Sequence, residues 1–212
     1  MKLIHQQVQG FINEVDSKSP APGGGSVSAL LSTLGVSLLR MVGHLTVEKK
    51  KFLALDDDIK ERFHHVFEGL LTLKEELIKL IDLDTEAFNL IMEAFQMPKT
   101  TDEEKALRKK AIYHGTLEAI KVPQTIANLS LRAFEDIDVI LTYGNQQTIS
   151  DIGVAALAIG AGIEGACMNV LINVSGISDE DLAKTYHEEV KLLLEKAYSI
   201  RKKVLDVVYQ KL

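Results

Sequence analysis

Between Ile59 and Met92 the apolar residues recur at helical spacing, through Phe63, Val66, Phe67, Leu70, Leu73, Leu77, Leu80, Ile81, Phe88 and Ile91. Such a stripe buries one side of a helix. No proline interrupts it, so a single helix is expected over residues 56–95. At 1.5 Å per residue it is about 60 Å long. A compact domain of 212 residues spans only about 35–40 Å. The helix must therefore overhang, bend or lie against a second subunit.

The rest of the chain follows the same period. Helices are expected over residues 3–15, 26–43, 101–141, 151–174 and 178–212. Thr101 and Glu104 have the spacing of a capping box, and Pro123 should kink the helix they start. Ser150 or Asp151 is expected to cap the fifth helix and Ser178 the sixth. No strand alternation and no repeat occur. The chain reads as one domain, residues 1–212: an all-α bundle of about six helices, several of them long, with antiparallel neighbours. Gly153, Gly160, Gly162 and Gly165 give the fifth helix a small-residue face for close helix or subunit contact, so a homodimer is expected.

Composition narrows the function. The net charge of −6 and the absence of tryptophan argue against a nucleic-acid partner. The longest apolar run, residues 152–163, ends at Glu164, short of the roughly 20 residues a bilayer requires. The first residues lack a signal-peptide core. Cys167 is the single cysteine, which fits a reducing compartment and a core position. A cytoplasmic protein with no membrane partner is expected.

Residues 19–26 read Ser-Pro-Ala-Pro-Gly-Gly-Gly-Ser and precede the second helix. Ser26 is a natural N-cap there, and glycines admit close approach to the backbone. Pro22, Gly23, Gly24, Gly25 and Ser26 are therefore candidate ligand contacts at a helix N-terminus, where negative charge is favoured. The alternative is a stiff linker. Asp82 and Asp84 lie in an apolar stretch of the long helix. Two residues apart, they cannot share a face, so one should point inward, where burial raises a carboxyl pKa and suits acid–base work. Asn169 and Asn173 share a face and either hold a ligand or satisfy backbone groups. Lys50, between Lys49 and Lys51, is either solvated or a carboxylate clamp. Glu61 and His64 form a lone Glu-x-x-His without the second copy that a di-iron bundle needs, so no metal is expected.

Together, the loop at 19–26, Met-Val-Gly-His-Leu-Thr at 41–46 with Lys-Lys-Phe at 50–52, and Asp-x-Asp-x-x-Ala-Phe at 82–88 resemble the formiminotetrahydrofolate cyclodeaminase family. So do Val122-Pro123, Gly144-Asn145, residues 150–156 from Ser150-Asp151 onward, and the Asn169 and Asn173 segment. Glu48 departs from the family, which often has glycine there. The resemblance implies an all-α dimer that cyclises 5-formiminotetrahydrofolate to 5,10-methenyltetrahydrofolate with loss of ammonia. Some stand-alone relatives are instead methenyltetrahydrofolate cyclohydrolases. Either reaction implies a folate substrate and no cofactor. It further implies acid–base roles for Asp82, supported by Asp84, and substrate contacts at residues 22–26, Lys50, Asp151, Asn169 and Asn173. The competing class is a non-enzymatic helical interaction protein.

Overall fold

A computed structural model describes residues 2–212. Among them lie eight α-helices, two short 3-10 turns and no strand. The helices are α1 (Val8–Val15), α2 (Gly24–Val47), α3 (Lys50–Leu53), α4 (Asp57–Gln96), α5 (Asp102–Glu135), α6 (Ile137–Tyr143), α7 (Ile149–Val174) and α8 (Glu180–Lys211). The turns are Leu3–His5 and Gln146–Thr148.

Helices α4, α2, α7 and α8 lie side by side, each antiparallel to its neighbour, and α5 packs across one side of this layer. Contacts run in opposite order along α2 and α7: Gly24 meets Asn169, Ser28 meets Gly165, Ser32 meets Gly162 and Gly35 meets Ile159. A Cβ on Gly35 would stand 2.6 Å from Ile159 Cγ1. The small residues of α7 thus serve close approach to α2 within one chain, as ridges fit grooves. The core runs through Leu39, Phe63, Leu70, Phe134, Ile152 and Ile159, all fully buried.

Local chemistry sets most boundaries. The Thr101 hydroxyl accepts from the Glu104 amide at 3.1 Å and the Glu104 carboxylate from the Thr101 amide at 3.0 Å, completing the capping box. Helix α8 is capped by Asp179, which accepts from Leu182 N–H at 3.0 Å; Ser178 does not take that place. Neither Ser150 nor Asp151 caps α7: Thr148 holds the N-cap position without a side-chain bond, and Asp151 lies in the first turn. The expected first helix divides into a 3-10 turn and α1. The expected fourth helix runs through Pro123 but stops at Glu135, and α6 follows. Pro123 has no N–H for the carbonyl of Ala119 one turn earlier. Asn173 Nδ2 donates to that carbonyl instead, at 2.8 Å.

The overhang expected of the long helix is present. Ser26 at the start of α2 lies against Asp84, and α4 runs on to Gln96, roughly 18 Å further. There α4 pairs with the start of α5, Ile91 beside Gly115. Two segments, Gly24–Val47 and Gln146–Val174, are long and apolar enough to cross a membrane. Both lie at the centre of the bundle, with 61% and 50% of their most apolar windows buried. Burial and the nearby Glu164 push the Cys167 thiol up to about 11, which suits a core residue.

Candidate active site

Helix α2 begins at Gly24 with Gly23 as N-cap, so Ser26 is not the cap but stands in the first turn, fully buried. The capping group comes from another helix. Asp84 Oδ2 accepts from the Ser26 amide at 2.9 Å. The Ser26 hydroxyl lies 3.3 Å from the same oxygen, 3.2 Å from Thr85 Oγ1, and donates to the Ile81 carbonyl at 2.7 Å. This arrangement explains the glycines. None has positive φ, so none is required for a left-handed backbone. A Cβ on Gly25 would collide with the Asp84 carboxylate, and one on Gly24 would stand 2.8 Å from Asn169 Nδ2. The glycines make room for side chains that converge on the helix end.

Burial raises the Asp84 carboxyl above the ordinary aspartate value, against the Ser26 amide and hydroxyl, which draw it down. The helix N-terminus also favours the anion; desolvation outweighs it here because the group sits between α2 and α4. Both Ser26 contacts go to Oδ2. Among the described residues no acceptor meets the Gly24 and Gly25 amides. Asn169, half-buried, donates to Gly165 O at 2.8 Å and keeps its amide beside Gly24. Pro22 is buried under the loop, and the Ala21–Pro22 peptide is cis. One small region thus presents a protonatable carboxyl, two open amides and a carboxamide.

Asp82 points elsewhere. It is buried and accepts from the Leu3 amide at 2.6 Å, tying the N-terminal turn to α4. Asn173 is engaged by the Ala119 carbonyl. Lys50 and Asp151 lie at the other end of α2, about 33 Å from Gly24 by helix rise. There Lys49, Lys50, Lys51, Tyr143, Asn145 and Gln147 line a cavity of about 570 Å³. Asn145 anchors that end: its amide donates to Thr46 Oγ1 at 2.8 Å. The sequence-derived candidates therefore form two groups in one chain. Among the described residues, no three His, Cys, Asp or Glu side chains gather as metal ligands.

The model of the Formiminotransferase-cyclodeaminase family matches residues 7–192. The chain belongs to this family. A methenyltetrahydrofolate cyclohydrolase from Methylorubrum extorquens is 32% identical over 98% of this chain and 98% of its own length. The formimidoyltransferase-cyclodeaminase of Mus musculus is 34% identical over 92% of this chain. That match covers 35% of the mouse protein, so the chain spans about a third of this longer relative. In fold, the chain matches the crystal structure of a formiminotetrahydrofolate cyclodeaminase from Thermotoga maritima. The TM-score is 0.77 at 24% identity, over 98% of this chain and 96% of that one.

Within this cyclodeaminase-family chain, sequence reasoning missed Thr85, whose hydroxyl completes the Ser26 cluster. It also left Tyr143 and Gln147 of the lysine-lined cavity unassigned. Thr85 stands next to Asp84, and only its turn toward α2 marks it out. Asn145 was visible as part of Gly144-Asn145.

Proposed function

We propose that this chain is a folate one-carbon enzyme that closes 5-formiminotetrahydrofolate to 5,10-methenyltetrahydrofolate and releases ammonia. Family membership supports the enzyme class, and the Asp84 carboxyl on the start of α2 carries the mechanistic reading. N10 attacks the formimino carbon and forms a tetrahedral centre. The proton leaving N10 must reach the nitrogen that departs as ammonia. Burial raises the Asp84 pKa above that of an ordinary aspartate, which makes its carboxylate a stronger base for proton transfer. Asp84 accepts the N10 proton and returns it to the amino group as the carbon–nitrogen bond breaks. Asp82, on the far side of α4, holds the N-terminal turn. The open amides of Gly24 and Gly25, with the Asn169 amide, are suited to polar edges of the pterin. Holding N10 against the carbon adds the proximity gain.

A second reading rests on the Methylorubrum extorquens relative, a cyclohydrolase that matches along nearly its whole length. In that reaction water adds to the methenyl carbon, Asp84 takes one of its protons and passes it to N5 as the carbon–N5 bond breaks, and the remaining hydroxyl proton is released to solvent to give 10-formyltetrahydrofolate. Methenyl absorbance separates the two. It should appear when the protein meets 5-formiminotetrahydrofolate, or decay faster when it meets 5,10-methenyltetrahydrofolate. No change with either substrate overturns both readings.

A further inference from the structure

The chain from Leu3 to Ser26 is tied to α4 at both ends, by two carboxylates two residues apart. Asp82 accepts from the Leu3 amide at 2.6 Å and Asp84 from the Ser26 amide at 2.9 Å. At 3.6 residues per turn, their side chains leave α4 about 200° apart. The segment between them therefore passes around the helix, from one side to the other. Little else holds it. Of residues 3–22, only Leu3, Phe11 and Pro22 are buried, and every residue from Val15 to Pro20 is exposed. Helix α1 packs closely against no other helix and turns Val8 and Ile12 outward, 79% and 57% exposed.

A segment with so few buried anchors opens at low free energy. Among the described residues, the bond from Leu3 to Asp82 is the one hydrogen bond that joins residues 2–22 to another helix. The Gln6 carboxamide donates to the Glu14 carboxylate, so the 3-10 turn and α1 move together. The segment ends at Pro22 and Gly23, directly before the open amides of Gly24 and Gly25. Asp84 does not depend on it, since Ser26 holds that carboxyl from within α2.

We propose that Asp82 is a positioning residue. By holding the Leu3 amide it clasps residues 3–22 around α4 and keeps Pro22–Gly25 in the arrangement that receives the ligand. With the clasp open, substrate must close it on binding. Apparent affinity then falls with the closed fraction, while the bound complex retains Asp84 and its chemistry. The signature is a raised KM at unchanged kcat. This catalytic consequence rests on the function proposed above; the clasp itself does not.

Four variants test it. Asp82→Ala removes the acceptor, and Asp82→Asn keeps one in its carboxamide oxygen. Leu3→Pro removes the donor. Lys2 is extended and Leu3 opens a 3-10 turn, so proline fits there. Leu3→Ala shortens the same side chain but retains the amide. Hydrogen exchange reads the clasp without substrate, at the Val27 amide, which donates to the Gly23 carbonyl at 3.1 Å. That amide should exchange about tenfold faster in Asp82→Ala and Leu3→Pro, and within about threefold of wild type in Asp82→Asn and Leu3→Ala. The amides of α7 should keep their rates throughout. KM should rise about tenfold in the same two variants with kcat within a few-fold, and the double variant Asp82→Ala/Leu3→Pro should be no worse than either single one. Unchanged Val27 exchange in Asp82→Ala overturns the clasp, as does equally faster exchange across α7, which marks general loosening. A fall in kcat at unchanged KM overturns the positioning role. A wild type inactive on both folates refutes the function reading, while exchange still decides the clasp.

Discussion

The two ends of α2 are built on opposite principles. At the glycine end a half-buried carboxyl packs against helix amides, its neighbours are small because nothing larger fits, and its proton affinity is raised. At the lysine end three cations stand exposed around an open cavity, held only by the backbone fold beneath them. A buried, crowded group is suited to chemistry, because low dielectric amplifies its interactions. An exposed cationic rim is suited to capture, because water screens it and tolerates change.

The largest test of this contrast is Asp84→Asn, which should lower kcat by about 10²–10⁴-fold, the size of a general acid–base term. Asp82→Asn should leave kcat within a few-fold. If the two variants fall equally, or Asp82→Asn falls further, the assignment of chemistry to the α2 side of α4 is wrong. Gly25→Ala forces a methyl into the Asp84 carboxylate and should cost about 1–3 kcal/mol in chemical denaturation, together with activity. An unchanged midpoint would show that the close approach is not required. Asn173→Ala strands the Ala119 carbonyl and should cost about 1–3 kcal/mol. Adding Pro123→Ala, which restores an amide for that carbonyl, should recover much of the loss. A double variant no better than the single would sink the pairing.

A smaller effect concerns pH. The native state holds the Asp84 proton more tightly than the unfolded chain, so the wild type loses stability as pH rises from the ordinary aspartate value through the raised one. Asp84→Asn lacks this slope. Its melting temperature relative to wild type should climb across that window and level off above it; a flat difference would mean that burial does not tax the carboxylate. The smallest effect is expected at the lysine end. Lys50→Ala should leave stability within about 0.5 kcal/mol, as exposed substitutions do. It should weaken KM for polyglutamylated folate more than for the monoglutamate, with kcat unchanged. An unaltered preference removes the tail-binding role.

The helical period announced the bundle, because burying one face of each helix repeats in the sequence itself. The Thr101–Glu104 box was equally legible, since capping partners are three residues apart. Other caps were not. Ser26 has the chemistry of an N-cap, yet a carboxylate 58 residues away takes that place, and Ser26 turns inward to α4. Asn173 could be read as ligand-binding or as structural; only the neighbouring helix, with its proline, decides.

By itself, then, the sequence determined an all-α chain with helices longer than a compact domain, a glycine loop at a helix start and a paired-aspartate motif. These depend on periodicity and residue type within a few turns. Tertiary structure alone decided which aspartate meets the loop and which binds the N-terminal turn. Their side chains differ only in direction around α4, and direction acquires meaning from what packs on each side. It also decided that the loop and the lysines stand a helix length apart, because antiparallel packing sends the two ends of α2 to opposite ends of the bundle.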